Sequence, residues 1–355
     1  MNHKIFHSID DFPKNHTDLL EDAEQISIFH GSRWFTLFEK KVATKNNRVK
    51  YYAIYANSID SEVLAIFPMQ TPKNSHRKLS SLSNYYASLF SPTFSSTANI
   101  QEIMDYFVAV IFREVPRWSV IDFKPMAQES EIYKMLVAAL KSNKYWVQPY
   151  FCFGNWYLQL ENRSYIEYFN SLSSRLRNTV KRKTKKLEKQ ATVNIQIVTH
   201  VDDVDAAMDK YEKIYAVSWK QDEPYKEFIR QLVRTYAEKD ELRIGLITID
   251  NEPAAAQIWF ITHGIASIFK LAYDEKFSKQ SVGSILSAKL MEYAIDNDKV
   301  YQIDYLTGDD PYKKEWMSHR RERWGVMAFN PKTITGTILA IRHITPKYIK
   351  RLINR

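Results

Sequence analysis

Cysteine is nearly absent. Cys152 is the only one in 355 residues, which excludes an internal disulfide and fits a reducing compartment. The nine histidines show no metal-ligand spacing. Apolar runs such as Phe107–Phe112 fall far short of the ~20 residues a membrane span needs. Met1–Asp10 has no apolar core of the kind that marks a secretory signal. No Gly-x-x-x-x-Gly-Lys loop or kinase-type motif is present. These absences lead to the expectation of a soluble, cytoplasmic protein without a metal site. The 45% hydrophobic and 14% aromatic content suffices for a large core, and the length allows two domains.

Charge is plentiful but uneven. The net charge is +9, yet Arg175–Lys189 alone carries eight Lys/Arg against Glu188, and Ile341–Arg355 carries five Lys/Arg and no acid. Those segments hold +7 and +5, so the remainder of the chain is −3. Two basic segments on a mildly acidic body point to phosphate-rich partners: a nucleotide cofactor, nucleic acid, or an anionic membrane face reached through the C-terminal tail. A solvated helix face is the plainer reading. In the helix expected over 172–190, Leu172, Leu176, Val180 and Leu187 form one stripe. The flanking cations, Arg177 and Lys181 among them, are then presented at a fixed place.

The second half has the cleaner pattern. Val193–Thr199 alternates as a strand, and Val201–Trp219 and Tyr225–Ala237 read as helices. Strands are expected over Leu242–Ile249, Ala254–Thr262 and Ile265–Tyr273, joined by turns at Asp250–Pro253 and His263–Gly264. The small-residue turn Phe277-Ser-Lys-Gln-Ser-Val-Gly283 follows, then a helix with apolar positions 285, 286, 290, 291, 294 and 295. Next come a strand over Val300–Leu306, a short helix near Tyr312–Met317 and a strand over Arg323–Phe329. A strand, a turn and a helix start in that order expose backbone N–H groups at a positive dipole end, a natural seat for phosphate.

The first half repeats a weaker version. A hairpin, Val49–Ala56 with Val63–Gln70, turns at Ser58–Asp60, and helices over Ile100–Glu114 and Glu129–Ser142 flank a strand over Ser119–Pro125. Tyr145–Leu160 is extended, and no phosphate turn is visible. The expected domains are 1–158 and 159–355.

This order resembles the GNAT acyltransferase fold, whose cofactor turn has the form Arg/Gln-x-x-Gly-x-Gly/Ala. The matching positions are Ser278, Lys279, Gln280, Ser281, Val282 and Gly283, of which only the last glycine fits. Tandem domains of this length resemble the FemAB-like group, in particular its CelD-like acetyltransferase subgroup. The residues carrying that likeness are Arg175–Lys183, Ser218-Trp-Lys220, Glu252–Trp259, Lys270–Glu275, Asp304–Lys313 and Arg320–Gly325. The resemblance implies an α/β fold of two tandem GNAT-like domains, with mixed, mostly antiparallel sheets flanked by helices. It also implies an N-acyltransferase using acetyl-CoA or another acyl-CoA, acting on an amine of a cell-envelope or exopolysaccharide precursor. FemAB relatives that use aminoacyl-tRNA make a tRNA-using or RNA-binding protein the rival. A non-catalytic tandem scaffold at the membrane face is a third reading.

On this resemblance, CoA would contact Leu271, Ala272, Lys279, Gln280, Ser281, Val282, Gly283 and Ser284. Candidate acid–base residues are Asp304, Tyr305, Asp310 and Tyr312, since acyl transfer to an amine needs a proton acceptor and a donor. Candidate acceptor contacts are Arg177, Lys181, Trp219, Gln257, Lys270 and Lys313. Plainer readings stand beside these. Asp304 can serve to neutralise Lys270, and Asp309–Asp310–Pro311 reads as a helix cap. Both tyrosines can be packing aromatics.

Overall fold

The computed structural model describes residues 1–58, 62–75 and 77–353, with side chains to residue 344. Residues 59 and 60 of the expected turn at Ser58–Asp60 lie outside the described residues, as do most side chains of the basic C-terminal stretch. Two compact units result, Met1–Phe153 together with Glu322–Arg355, and Gly154–Arg321.

The first unit contains strands β1 (Asn2–Phe6), β2 (Asn47–Tyr55), β3 (Val63–Pro72), β4 (Lys78–Ser81), β5 (Thr93–Phe94) and β6 (Val120–Ala127). Strands β1 to β4 pair antiparallel in order, β5 adds to β3, and β6 runs parallel to β4 after the crossover helix Ile100–Arg113. That helix starts where the Asn99 side chain accepts from the Glu102 N–H. Its buried positions 103, 104, 107, 108 and 111 keep helical spacing and pack on the sheet. Phe107 stacks on Phe67 of β3 with ring centroids 3.8 Å apart.

The second unit holds the end of β7 (Trp146–Gln159), then β8 (Val193–Val198), β9 (Leu242–Ile249), β10 (Glu252–Thr262), β11 (Ile265–Tyr273) and β12 (Gln302–Asp304). Strands β8 to β11 form an antiparallel meander, and β12 lies parallel to β11 after the helix Val282–Asp296. This helix buries Val282, Ile285, Leu286, Leu290 and Met291 in one core with Ile247, Trp259 and Ile268. Gly245 permits its close approach to β9, because a Cβ there would stand 2.7 Å from Leu290 Cδ1.

Both units therefore run antiparallel hairpin strands, a helix, then a parallel strand. Each parallel strand takes one more antiparallel neighbour: β12 takes the end of β7, and β6 takes β13 (His319–Phe329), with Arg323 opposite Ala127 through to Phe329 opposite Val120. This pairing puts residues 322–355 with the first unit, where the sequence had placed them with the second.

The basic helix begins at Ser174 rather than 172. A separate helix, Tyr165–Ser171, opens on the capping box Ser164–Glu167 and ends at Leu172, and Ser173 caps the next through the Leu176 N–H.

Candidate active site

Strands β11 and β12 pair only from Ile265 opposite Gln302 to Ser267 opposite Asp304. Beyond that point β12 leaves the sheet. The Leu306 N–H turns back onto the Asp304 carboxylate at 2.6 Å, and Leu306 and Gly308 take φ of 54° and 106°. Strand β11 continues to Tyr273, so residues 268–273 have no partner strand on that side among the described residues. Successive residues of a strand aim their N–H and C=O to opposite edges. Of Leu271 and Ala272, one therefore faces the open edge and the other faces β10, so the pair expected from sequence provides one outward donor.

At the end of β11 the chain forms a tight 3-10 turn, Glu275–Gln280, and Ser281 enters the helix in the left-handed region (φ 58°, ψ 37°). No side chain caps that helix. The N–H groups of Val282, Gly283 and Ser284 are the ones an α-helix leaves without internal partners. Lys183 of the basic helix donates to the Lys279 carbonyl at 2.5 Å, tying that helix to the turn. The buried Oε1 of Gln280 and Nε of Arg177 have no hydrogen-bond partner. Gln257, expected to touch acceptor, has another job. Its amide donates to the Gly283 carbonyl (3.2 Å) and Ser287 Oγ (2.8 Å) and accepts from Trp259 Nε1 (2.9 Å). It is buried and anchors the helix start to β10.

The carboxylates after β12 do not converge. Asp304 is buried and accepts from Asn155 Nδ2 (2.6 Å), the Leu306 N–H and the Arg321 guanidinium. Asp309 is held by Arg320 (2.6 Å) and Trp156 Nε1 (2.7 Å), and these bonds keep its carboxyl below the usual carboxylate range. Asp310 is exposed, sits at the start of the helix Pro311–Trp316 without a capping bond, and lies 3.3 Å from Lys313 Nζ. Tyr305 is buried, with Tyr312 edge-on at 5.8 Å and Lys313 Nζ 5.6 Å from its ring centroid. Burial, then Tyr312 and Tyr168, raise the Tyr305 phenol well above its ordinary range. Burial and Asp310 likewise raise Tyr312, which remains 40% exposed.

Lys270 does not pair with Asp304. Its ammonium bonds Glu223 at 2.6 Å, and burial outweighs that partner in lowering its pKa. Lys313 donates to the Thr307 and Gly308 carbonyls beside Asp310, and burial lowers it too. Lys220 joins them, with its Nζ 5.5 Å from the ring centroid of Trp219. Trp219 is half-exposed and packs on Tyr273 at 4.5 Å. Glu223 escaped the sequence reading because Asp222–Pro224 looks like a plain helix break, and Lys220 entered it only within Ser218-Trp-Lys220, with no role of its own. Asn155 and Arg321 escaped because their partners lie more than a hundred residues away or in another element.

On the basic helix, Lys181 stands 5.7 Å from the Phe169 ring centroid, and Lys181, Arg182, Lys185, Lys186 and Lys189 line one shallow groove with Asn178. None of the eight cations of this helix forms an ion pair among the described residues.

Residues 174–314 match the family model described as acetyltransferase (GNAT) domain. Compared by sequence with curated proteins, the chain has no match. Among solved structures it is similar to FemX, with 11% identity, TM-score 0.59, and 94% of this chain and 98% of that one covered. It is also similar to the C-terminal domain of a putative lysylphosphatidylglycerol synthetase from Agrobacterium fabrum, at 9% identity and TM-score 0.54 over 92% and 96% of the two chains. A tandem GNAT protein from the clavulanic acid biosynthesis pathway matches at 7% identity and TM-score 0.51, over 92% and 98%. No described helix is long and apolar enough to cross a membrane. The parted strands, the uncapped helix start and these likenesses agree: the chain has the fold of the tandem GNAT, FemAB-like structures, and residues 174–314 of its second unit match the acetyltransferase (GNAT) domain model.

Proposed function

We propose that this protein is an acyl-CoA-dependent N-acyltransferase that moves an acyl group, acetyl in the first instance, onto an amine of a cell-envelope or exopolysaccharide precursor. The observation that carries the reading is the coincidence, at one end of β11, of an open strand edge and an uncapped helix start. The N–H groups of Val282, Gly283 and Ser284 suit a pyrophosphate, with Lys279 and Gln280 in the turn just before them and Lys183 tied to that turn. An outward N–H of β11 suits the oxyanion that forms when the amine adds to a thioester carbonyl. As the C–N bond forms and the C–S bond breaks, one proton must leave the amine and one must reach the thiolate. Asp310 is the exposed carboxylate able to accept the first. Tyr305, protonated at any ordinary pH, is the donor for the second.

Gly283→Val tests the cofactor site. A Cβ there meets Tyr273 Cδ1 at 3.3 Å, a contact a small ring shift relieves, so the fold should survive. The larger side chain stands over the N–H groups. Losing one or two charge-assisted hydrogen bonds should weaken CoA by roughly 10–100-fold in calorimetry. Affinity equal to that of the unaltered chain would move the cofactor elsewhere.

A second reading, an aminoacyl-tRNA donor, is favoured by the unpaired cations of the basic helix. Replacing Arg177 and Lys181 with alanine should weaken whichever phosphate-bearing ligand binds there. If that ligand is tRNA, two lost phosphate contacts flatten the log–log salt dependence by roughly 1.4–1.8. Titrating CoA and bulk tRNA separately decides between the readings. An unchanged affinity and slope for both would leave the helix a solvated face.

A further inference from the structure

We propose that Lys220 holds an anionic group of the acceptor, so that the acylated amine belongs to a molecule carrying a carboxylate or phosphate, such as an amino acid or a phosphorylated amino sugar. This rests on the acyltransfer reading above.

Three ammonium groups, Lys220, Lys270 and Lys313, share two carboxylates, Glu223 and Asp310. The partners are already assigned. Glu223 bonds Lys270 at 2.6 Å, and Asp310 lies 3.3 Å from Lys313, which also uses two carbonyls. No carboxylate stands within ion-pair distance of Lys220 among the described residues. Its surroundings are the Trp219 ring, itself packed on Tyr273. A half-buried ammonium without a counter-ion is costly, and folds avoid it unless something else supplies the charge.

The position explains what that something is. Lys270 belongs to the part of β11 that has no partner strand on the β12 side among the described residues, one residue before Leu271. Tyr273, under Trp219, abuts Gly283 at the helix start. The excess positive charge thus lies beside the edge where the thioester carbonyl is expected, on the Trp219 side. An acceptor whose anion rests on Lys220 has its neighbouring amine directed toward that edge.

Burial first, then Lys270 and Lys313, bring the Lys220 ammonium down to about 8, with Asp310 and Glu223 opposing. The protonated form is the one that binds an anion. Binding should be constant below about pH 7.5 and fall about tenfold per pH unit above 8.

Sulfate and acetate, which do not titrate in this range, serve as probes, followed by calorimetry and by the Trp219 indole N–H resonance. Lys220→Met should weaken sulfate by roughly 10–100-fold, the loss of one charge-assisted contact. Lys220→Arg should keep binding and lose the fall above pH 8. CoA affinity should not change in either variant. Sulfate affinity unaltered by Lys220→Met, or sulfate displaced by CoA, overturns the assignment, the latter giving the site to the donor's own phosphates. Absence of CoA binding by the unaltered chain would remove the acyl-CoA reading while leaving the sulfate measurement to judge Lys220.

Discussion

Tyr305→Phe should lower kcat by at least ~10²-fold while CoA affinity and folding stability stay nearly unchanged. The phenol is buried against Tyr312 and beneath Lys313, and its hydroxyl has no hydrogen-bond partner. Ser287, whose oxygen accepts from Gln257, lies close enough to temper the rise of the phenol's pKa and is the nearest polar neighbour. A buried hydroxyl without a partner contributes nothing to stability, so its removal is neutral or mildly stabilising, within about 1 kcal/mol. If packing were its whole purpose, phenylalanine would serve equally well. A proton donor loses its function entirely in the same exchange. The two roles therefore separate in one variant: turnover measured at saturating acyl-CoA falls, while the thermal midpoint holds. Asp310→Asn completes the pair: it removes the charge while keeping the side-chain shape, and Lys313, 3.3 Å away, retains the Thr307 and Gly308 carbonyls. Turnover within a few-fold of the unaltered chain in both variants would make these residues packing and surface, and place the proton relay elsewhere.

Asp304→Ala should behave in the opposite sense, costing about 3 kcal/mol of folding stability. The sequence offered Asp304 as an acid–base candidate. Its oxygens, however, bind Asn155, the Leu306 N–H and Arg321, and Arg321 in turn donates to Asn155 at 2.6 Å and lies over the Tyr157 ring. Removing the carboxylate strips Arg321 of its counter-ion and leaves the Leu306 N–H without an acceptor, while Arg321 keeps Asn155 Oδ1 and Asn155 keeps the Leu306 carbonyl. Arg321 keeps 28% side-chain exposure and can recover some hydration, which holds the estimate toward the lower end of the usual range for a broken buried pair. Denaturant unfolding of Asp304→Ala and Asp304→Asn measures this. Wild-type stability accompanied by lost turnover would return Asp304 to the chemistry.

These contrasts show where the sequence was legible. Strands β9 and β11 fall on the residues their apolar alternation marked, because local pattern and buried face agree there. Strand β12 was expected to run from 300 to 306 but occupies only Gln302–Asp304. The Asp304 carboxylate captures the Leu306 N–H and bends the chain away, an event governed by Asn155 and Arg321 rather than by neighbours in sequence. Gln257 looked like a polar residue free for substrate because nothing local announces its bonds to Gly283 and Ser287. Glu223 claims Lys270 across 47 positions of chain, so the expected Lys270–Asp304 pair had no way to reveal its rival. The turn at 277–284, in contrast, could be read directly, since strand, small residues and helix stripe are all local.

The pairing of β13 with β6 has a consequence for synthesis on the ribosome. Strand β6 is complete at Ala127, yet the neighbour that covers its edge ends at Phe329. About 200 residues must emerge in between, which at 5–20 residues per second takes about 10–40 s. Throughout that interval one edge of β6 presents bare N–H and C=O groups to any passing strand, whereas the last strand of the Gly154–Arg321 unit, β12, is made by Asp304, before β13 emerges. The earlier-made half is thus the later to finish, and it is the half exposed to mispairing in the nascent chain.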